Sequence, residues 1–193
     1  QISWIITLNV LATAIATPLT GSLVSLFGRR FVLIFCSVSF TLATLACGMC
    51  DSLESLIFFR VLQGAVGAPL VPLSQATLLQ SYPRDMHARV NAIYGMSVVV
   101  GPALAPSLGG YLSEMYDWRW VFFMMVPLGF LATIGNLKYV KDDGKQVGSR
   151  FDYLGFTLFS LAIICLQLVL DRGEREDWLD SIYITSLLTF MAI

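Results

Sequence analysis

One arginine, Arg60, stands inside the apolar segment LIFFRVLQGAVGAPL, with Gln63 three residues on and Gly64 next to it. In a helix, residues three and four apart share a face, so guanidinium and amide lie together beside a glycine. A charge near the middle of a membrane helix costs roughly 2.5–3.5 kcal/mol on insertion scales, and such residues are functional by default. The bland alternative is snorkelling. Arg60 lies about 10 Å from the end of its apolar run by helical rise, within reach of headgroups for so long a stem. A guanidinium beside a cavity sets the pKa of a nearby acid or holds an anionic group. It stays charged at physiological pH and does not itself shuttle a proton. Gly64, Gly67 and Ala68 add a small face suited to close helix packing.

Two further stretches have informative spacing. In GPALAPSLGG, Gly101, Ala105 and Gly109 recur every four residues and stack on one helical face; Pro102 and Pro106 form a second ladder, and Gly110 follows. Interior prolines cost a water-exposed helix ~3 kcal/mol each, but a membrane helix tolerates them. The pattern predicts a bent helix whose small face packs closely against another helix and pivots there. In GSLVSLFGRR, Gly21 permits close approach, Ser25 occupies the middle, and Gly28 suits the positive φ that ends a helix. Arg29 and Arg30 then sit at the lipid interface, where they also serve as a topology signal.

Other chemistries find no support. His87 is the single histidine and sits in a polar connector with Arg84, Asp85 and Arg89, so no Ser/His/Asp arrangement can be built. Cys36 and Cys165 lie within apolar runs, and Cys47 and Cys50 form one C-x-x-C without the second pair a zinc site needs. We expect no metal, no cofactor and no enzymatic activity. A net charge of −1 gives no footprint for nucleic acid.

The elements that carry these residues follow from composition. The chain of 193 residues is 56% hydrophobic and 13% charged, with mean hydropathy +0.74, against ~25% charged residues in ordinary globular proteins. A spanning helix needs ~20 mostly apolar residues. Six complete spans are predicted at Trp4–Val24, Arg30–Met49, Leu53–Gln80, Ala88–Ser113, Arg119–Tyr139 and Tyr153–Leu170, and a shortened one at Ile182–Ile193. The chain starts without Met and stops in an apolar run, as a fragment would, and no signal peptide is expected. One set of connectors holds Arg29, Arg30, Arg84, Arg89, Lys138, Lys141, Lys145 and Arg150; the other holds Arg119, Arg172 and Arg175. Eight against three places the first set in the cytoplasm. The acidic segment 171–180 is then external. Trp4, Trp118, Trp120 and Trp178 fall on that opposite side, as an interfacial belt would.

Taken in order, GSLVSLFGRR, LIFFRVLQGAVGA and GPALAPSLGG resemble three motifs of the major facilitator superfamily. The first is similar to its loop motif G-x-L-a-D-r-x-G-r-[KR], with Ser25 where that motif has an acid. The second is similar to its helix-4 motif, with Arg60, Gln63 and Gly64 in register. The third resembles the helix-5 motif of drug:proton antiporters, G-P-x-x-G-G, matched at Pro106, Gly109 and Gly110, with Ala105 for the first glycine. YDWRWVFFMMVPLGF, FDYLGFTLF and LQLVLDRGEREDW extend the resemblance to the fourteen-helix, EmrB/QacA-type branch. It implies an all-α polytopic transmembrane bundle, partial here. Residues 1–139 would be helices 2–6 of the N-terminal half, 140–152 a cytoplasmic linker, and 153–193 the extra helix pair between halves. It implies proton-coupled export of hydrophobic or cationic small molecules by alternating access in the cell membrane. Its partners would be a small-molecule substrate, protons and the lipid bilayer, with any periplasmic adaptor unidentified. The rival expectations are a superfamily transporter of a siderophore or organic anion, and a channel or non-transporting membrane scaffold. Helix 1, which carries an acid tied to proton coupling in that family, falls outside the sequence.

Overall fold

The computed structural model describes residues 2–141 and 152–172. Among them are eight α-helices: α1 (Ile2–Ala16), α2 (Leu19–Phe27), α3 (Arg29–Gly48), α4 (Leu53–Gly67), α5 (Leu70–Ser81), α6 (His87–Met115), α7 (Trp120–Tyr139) and α8 (Tyr153–Arg172), with one 3₁₀ turn at Arg84–Met86. Four helical runs are long and apolar enough to cross a membrane: Arg29–Gly48, Leu53–Ser81, Arg84–Met115 and Trp120–Tyr139. The pair Ile5–Ala16 and Leu19–Phe27, bent by 54°, makes a fifth. These coincide with the first five expected spans, and α8 covers the sixth. Most of the expected linker, most of the acidic segment 171–180 and the partial span Ile182–Ile193 lie outside the described residues, as do the side chains of Trp4 and Trp178.

The helix breaks fall elsewhere than expected. α6 runs unbroken through Pro102 and Pro106, whereas the chain breaks before Pro18 and Pro69. Each of those prolines immediately precedes a new helix, α2 or α5, with φ of −63° and −70°, values the ring imposes. Gly64 and Gly67, just ahead of Pro69, are pressed against α1 and the Phe40 ring, while nothing approaches Gly101, Gly109 or Gly110 within 4 Å. Tight packing does not by itself decide where the chain breaks, because α7 runs unbroken through Pro127 with Gly129, two residues on, pressed against Thr41.

α3 holds the centre. It packs most extensively on α7 along one side and α4 along the other; α4 packs in turn on α1. Gly28, at φ 83°, reverses the chain between α2 and α3, and its N–H donates to Val24 O. Only glycine adopts that conformation without strain. Arg29, Tyr82 and Lys141 line one cleft, so the start of α3 and the ends of α5 and α7 share one end of the bundle. Arg119 meets Asp51 at the other. The interior is polar for its size: Ser37, Thr41, Thr44, Gln63 and Thr133 are buried, while Phe31, Phe35, Leu42 and many other large apolar residues face outward. That distribution suits lipid, which is as apolar as leucine. Helix association there rests on close packing and interhelical hydrogen bonds.

Candidate functional site around Arg60

α4 starts at Ser52, whose side chain accepts a hydrogen bond from Ser55 N–H at 3.2 Å, satisfying an amide that the helix leaves without a partner. Two turns on, Arg60 and Gln63 occupy one face. Arg60 Nη1 donates to Gln63 Oε1 at 3.2 Å, Gln63 Nε2 donates to Thr44 Oγ1 at 2.7 Å, and the Thr44 hydroxyl donates to Phe40 O at 2.7 Å. The chain of donors therefore runs from the guanidinium across α3 and ends on a backbone carbonyl. Phe122 of α7 covers the other side, its ring centroid 4.6 Å from the guanidinium carbon, a cation–π arrangement. Arg60 thus turns inward, with Gln63, between α3, α4 and α7. The snorkelling alternative does not describe it. Its Nε is buried without a hydrogen-bond partner, and among the described residues no carboxylate pairs with it.

The opposite face of α4 is held by α1. Asn9 Nδ2 donates to Arg60 O at 2.6 Å; the Thr13 hydroxyl lies 2.9 Å from Asn9 O and 3.1 Å from Gly64 O. Gly64 makes this possible, since a Cβ there would run into Asn9 O. On the far side of α3, Ser37 and Thr133 share a hydrogen bond of 2.9 Å, and Gly129 lets Thr41 pack against the α7 backbone. The arginine is therefore set in four helices that are cross-linked by polar side chains.

Asn9, Thr13, Thr44 and Thr133 were not singled out by sequence reasoning. The signal existed: Asn9 and Thr13 are four apart in one span, and Ser37, Thr41 and Thr44 are spaced four and three apart in another. Such stripes mark the interior face of a membrane helix. Arg119 and Asp51 pair at 2.8 Å at the bundle end, again unforeseen.

The other expected site residues are placed differently. No helix among the described residues packs on the face Gly101–Ala105–Gly109. Gly101 and Ala105 are exposed, as are Pro102, Pro106 and Gly110; Gly109 is half-buried, but nothing lies within 4 Å of its Cβ position, so the expected close contact is not made within this chain segment. The physical reason is that α6 joins its neighbours through its ends, with Tyr94 hydroxyl to Val71 O at 2.8 Å and Gln75 to Asn91 at 3.2 Å near its start. Gly21 likewise has nothing within 4 Å, against the close approach expected of it. Ser25 bonds its own helix at Ser22 O, and Arg30 Nη2 reaches Leu137 O at 3.0 Å, tying the loop to the end of α7. His87 Nε2 lies 3.0 Å from Tyr82 O.

A family model described as Major Facilitator Superfamily matches residues 1–193. The chain is similar to the multidrug export protein EmrB of Escherichia coli K12, at 40% identity over all of this chain and 38% of that protein. It is also similar to EmrB of Haemophilus influenzae, at 39% over 94% of the chain and 36% of that protein. The fatty acid resistance protein FarB of Neisseria gonorrhoeae is 38% identical over 94% of the chain and 36% of that protein. The chain therefore spans little more than a third of these relatives. With spans of membrane length, an inward-facing Arg60–Gln63 pair on the expected helix and a family match over its whole length, the chain belongs to the major facilitator superfamily.

Proposed function

We propose that the protein to which this chain belongs exports hydrophobic or cationic small molecules in exchange for protons, by alternating access. The observation that carries the reading is Arg60: a guanidinium whose partners among the described residues are all neutral, held inside four helices that are built around it. A fixed positive charge of this kind lowers the pKa of an acid brought beside it and favours proton release. The relatives' names, multidrug export protein among them, support the substrate class. The energy suffices. A potential of ~150 mV supplies roughly 3.5 kcal/mol per proton charge, enough for a gradient of a few hundredfold. Residues 1–139 serve as helices 2–6 of the N-terminal half, and the side bearing Arg29, Arg30, Arg84 and Lys138 faces the cytoplasm of a cell whose inner or plasma membrane holds the protein.

In the full-length protein, Arg60→Ala is expected to abolish active efflux while insertion and expression persist. Efflux at the wild-type rate from that variant overturns the role. A second reading has an observation behind it: with no carboxylate paired to Arg60 among the described residues, an anionic substrate could be its partner, and one relative is named for fatty acid resistance. A panel of cationic and anionic substrates separates the two. Under the second reading, Arg60→Lys retains anion export at reduced affinity, and cations are not exported at all.

A further inference from the structure

The first turn of α7 brings two unlike contacts together. Arg119, the residue before the helix, points its guanidinium at the α3–α4 turn: Nη2 donates to Cys50 O at 3.0 Å and to Asp51 Oδ1 at 2.8 Å. Asp117 Oδ1 accepts from Arg119 N–H at 2.9 Å, and the guanidinium carbon stands 5.0 Å from the Trp118 ring centroid. One turn on, Phe122 is buried and covers Arg60, with Trp118 edge-on against it at 6.0 Å. Phe123 lies so close to Gly48 that a Cβ there would come 2.7 Å from its ring. Cys47, next to Gly48, is wholly buried. The aromatic turn thus closes the α3–α7 seam directly over the arginine.

As an ion pair, Arg119–Asp51 contributes little, since the Asp51 side chain is 94% exposed. Its value is geometric. A planar fork that holds a backbone carbonyl at the end of α3 and an acid just before α4 fixes where α7 begins relative to both. We propose that the first turn of α7 is a seal that keeps water on that side from reaching Arg60, and that Arg119 is the positioning residue that holds it shut. Access to the arginine is then confined to other directions, which any one-sided proton route requires. The proposal rests on the orientation given above for which side the seal faces, but not on any role of Arg60 in transport.

Native thiols supply the reporters. Cys47 sits under the seal, and Cys36 is buried on the same helix three turns away. In full-length protein, two backgrounds are made in which every other cysteine is serine, one keeping Cys47 and one keeping Cys36. Each receives Arg119→Ala, Asp51→Ala, Arg119→Lys or Phe122→Ala. Reaction with a membrane-impermeant maleimide is timed in sealed right-side-out vesicles. Labelling of a buried thiol follows the fraction of time its cover is open. Losing its bond to Cys50 O should raise the Cys47 rate about tenfold in Arg119→Ala, and Asp51→Ala, which gives up only the exposed pair, should raise it less, about two- to fivefold. Phe122→Ala should match or exceed the Arg119→Ala rate, and Arg119→Lys should fall between that rate and the parent's. Cys36 should not change. Cys47 rates within about twofold of the parent in both pin variants overturn the proposal, given the bonds at stake. So does an equal rise at Cys36, which marks general loosening. Exposed Glu54→Cys, in a third background, reports insertion and sidedness. If it reacts only in inverted vesicles, the orientation is wrong, and the Cys47 comparison is read there instead. If Arg119→Ala fails to insert, Asp51→Ala and Arg119→Lys decide.

Discussion

Replacing Gly64 by alanine adds one methyl group at the point where α1 and α4 touch. A Cβ on Gly64 runs into Asn9 O and stands 3.0 Å from Thr13 Oγ1 and 3.1 Å from Asn9 Nδ2. The main obstacle is backbone, so no rotamer change relieves it and α1 must move away from α4. That motion stretches the bonds from Asn9 to Arg60 O at 2.6 Å and from Thr13 to Gly64 O at 3.1 Å. Overpacking costs ~1–3 kcal/mol, and two interhelical hydrogen bonds in a membrane protein add ~0.6 kcal/mol each. Alanine returns ~0.8–1.0 kcal/mol of helix propensity over glycine. Gly21→Ala is the matched control: it also lies within a helix, but nothing lies within 4 Å of its Cβ position. Propensity cancels in the comparison. Gly64→Ala should therefore be less stable than Gly21→Ala by ~2–4 kcal/mol from the terms above. Reversible unfolding of the full-length protein in mixed micelles measures this, with efflux assayed in parallel. Equal stability of the two variants would refute the claim that α1 and α4 meet through Gly64.

Ser37→Ala combined with Thr133→Val should give a double-mutant coupling energy of ~0.6 kcal/mol, the average for such bonds in membranes; a coupling of zero means that the 2.9 Å contact holds nothing. Gly109→Leu should leave insertion intact but block transport in the full-length protein, while Ala105→Gly should be nearly silent. Normal transport by Gly109→Leu removes the small face of α6 from the mechanism. A cysteine replacing Lys145 should resist an impermeant thiol reagent in intact cells and one replacing Glu174 should react, as the eight-to-three basic asymmetry requires; the reverse pattern overturns the orientation.

What could be read from residues alone was the part governed by local geometry. Arg60 and Gln63 share a face because three residues is nearly one helical turn, and the structure has them bonded at 3.2 Å. Gly28 takes positive φ because the turn between α2 and α3 is too short for anything else. The small residues divided. Gly64 and Gly129 are pressed against Asn9 and Thr41, while Gly21, Gly101 and Gly109 stand open. Spacing is the same kind of evidence in every case; what differs is the neighbour, and the neighbour is set by tertiary packing. Thr44 shows the same limit. Nothing local distinguishes it from other threonines, yet it alone receives the Gln63 amide.

The same contrast indicates where this segment is stiff. Hydropathy finds spans by their lipid-facing residues, whereas the side chains that join helices are those that lower it: Asn9, Thr13, Ser37, Thr41, Thr44, Gln63 and Thr133. These tie α1 to α4, α4 to α3 and α3 to α7, and glycine contacts bring the backbones together at two of those seams. α6 has two interhelical hydrogen bonds near its start, through Asn91 and Tyr94. Residues 95–113 carry none among those described. Displacing α3 means breaking polar bonds in a medium that offers no replacement. Displacing the middle of α6 breaks no interhelical bond that this segment makes. Movement is drawn from the elements with the fewest contacts to lose. By that criterion we propose that the block α1–α4–α3–α7 is the stiff mount of Arg60 and that the middle of α6 is the wall that shifts beside it.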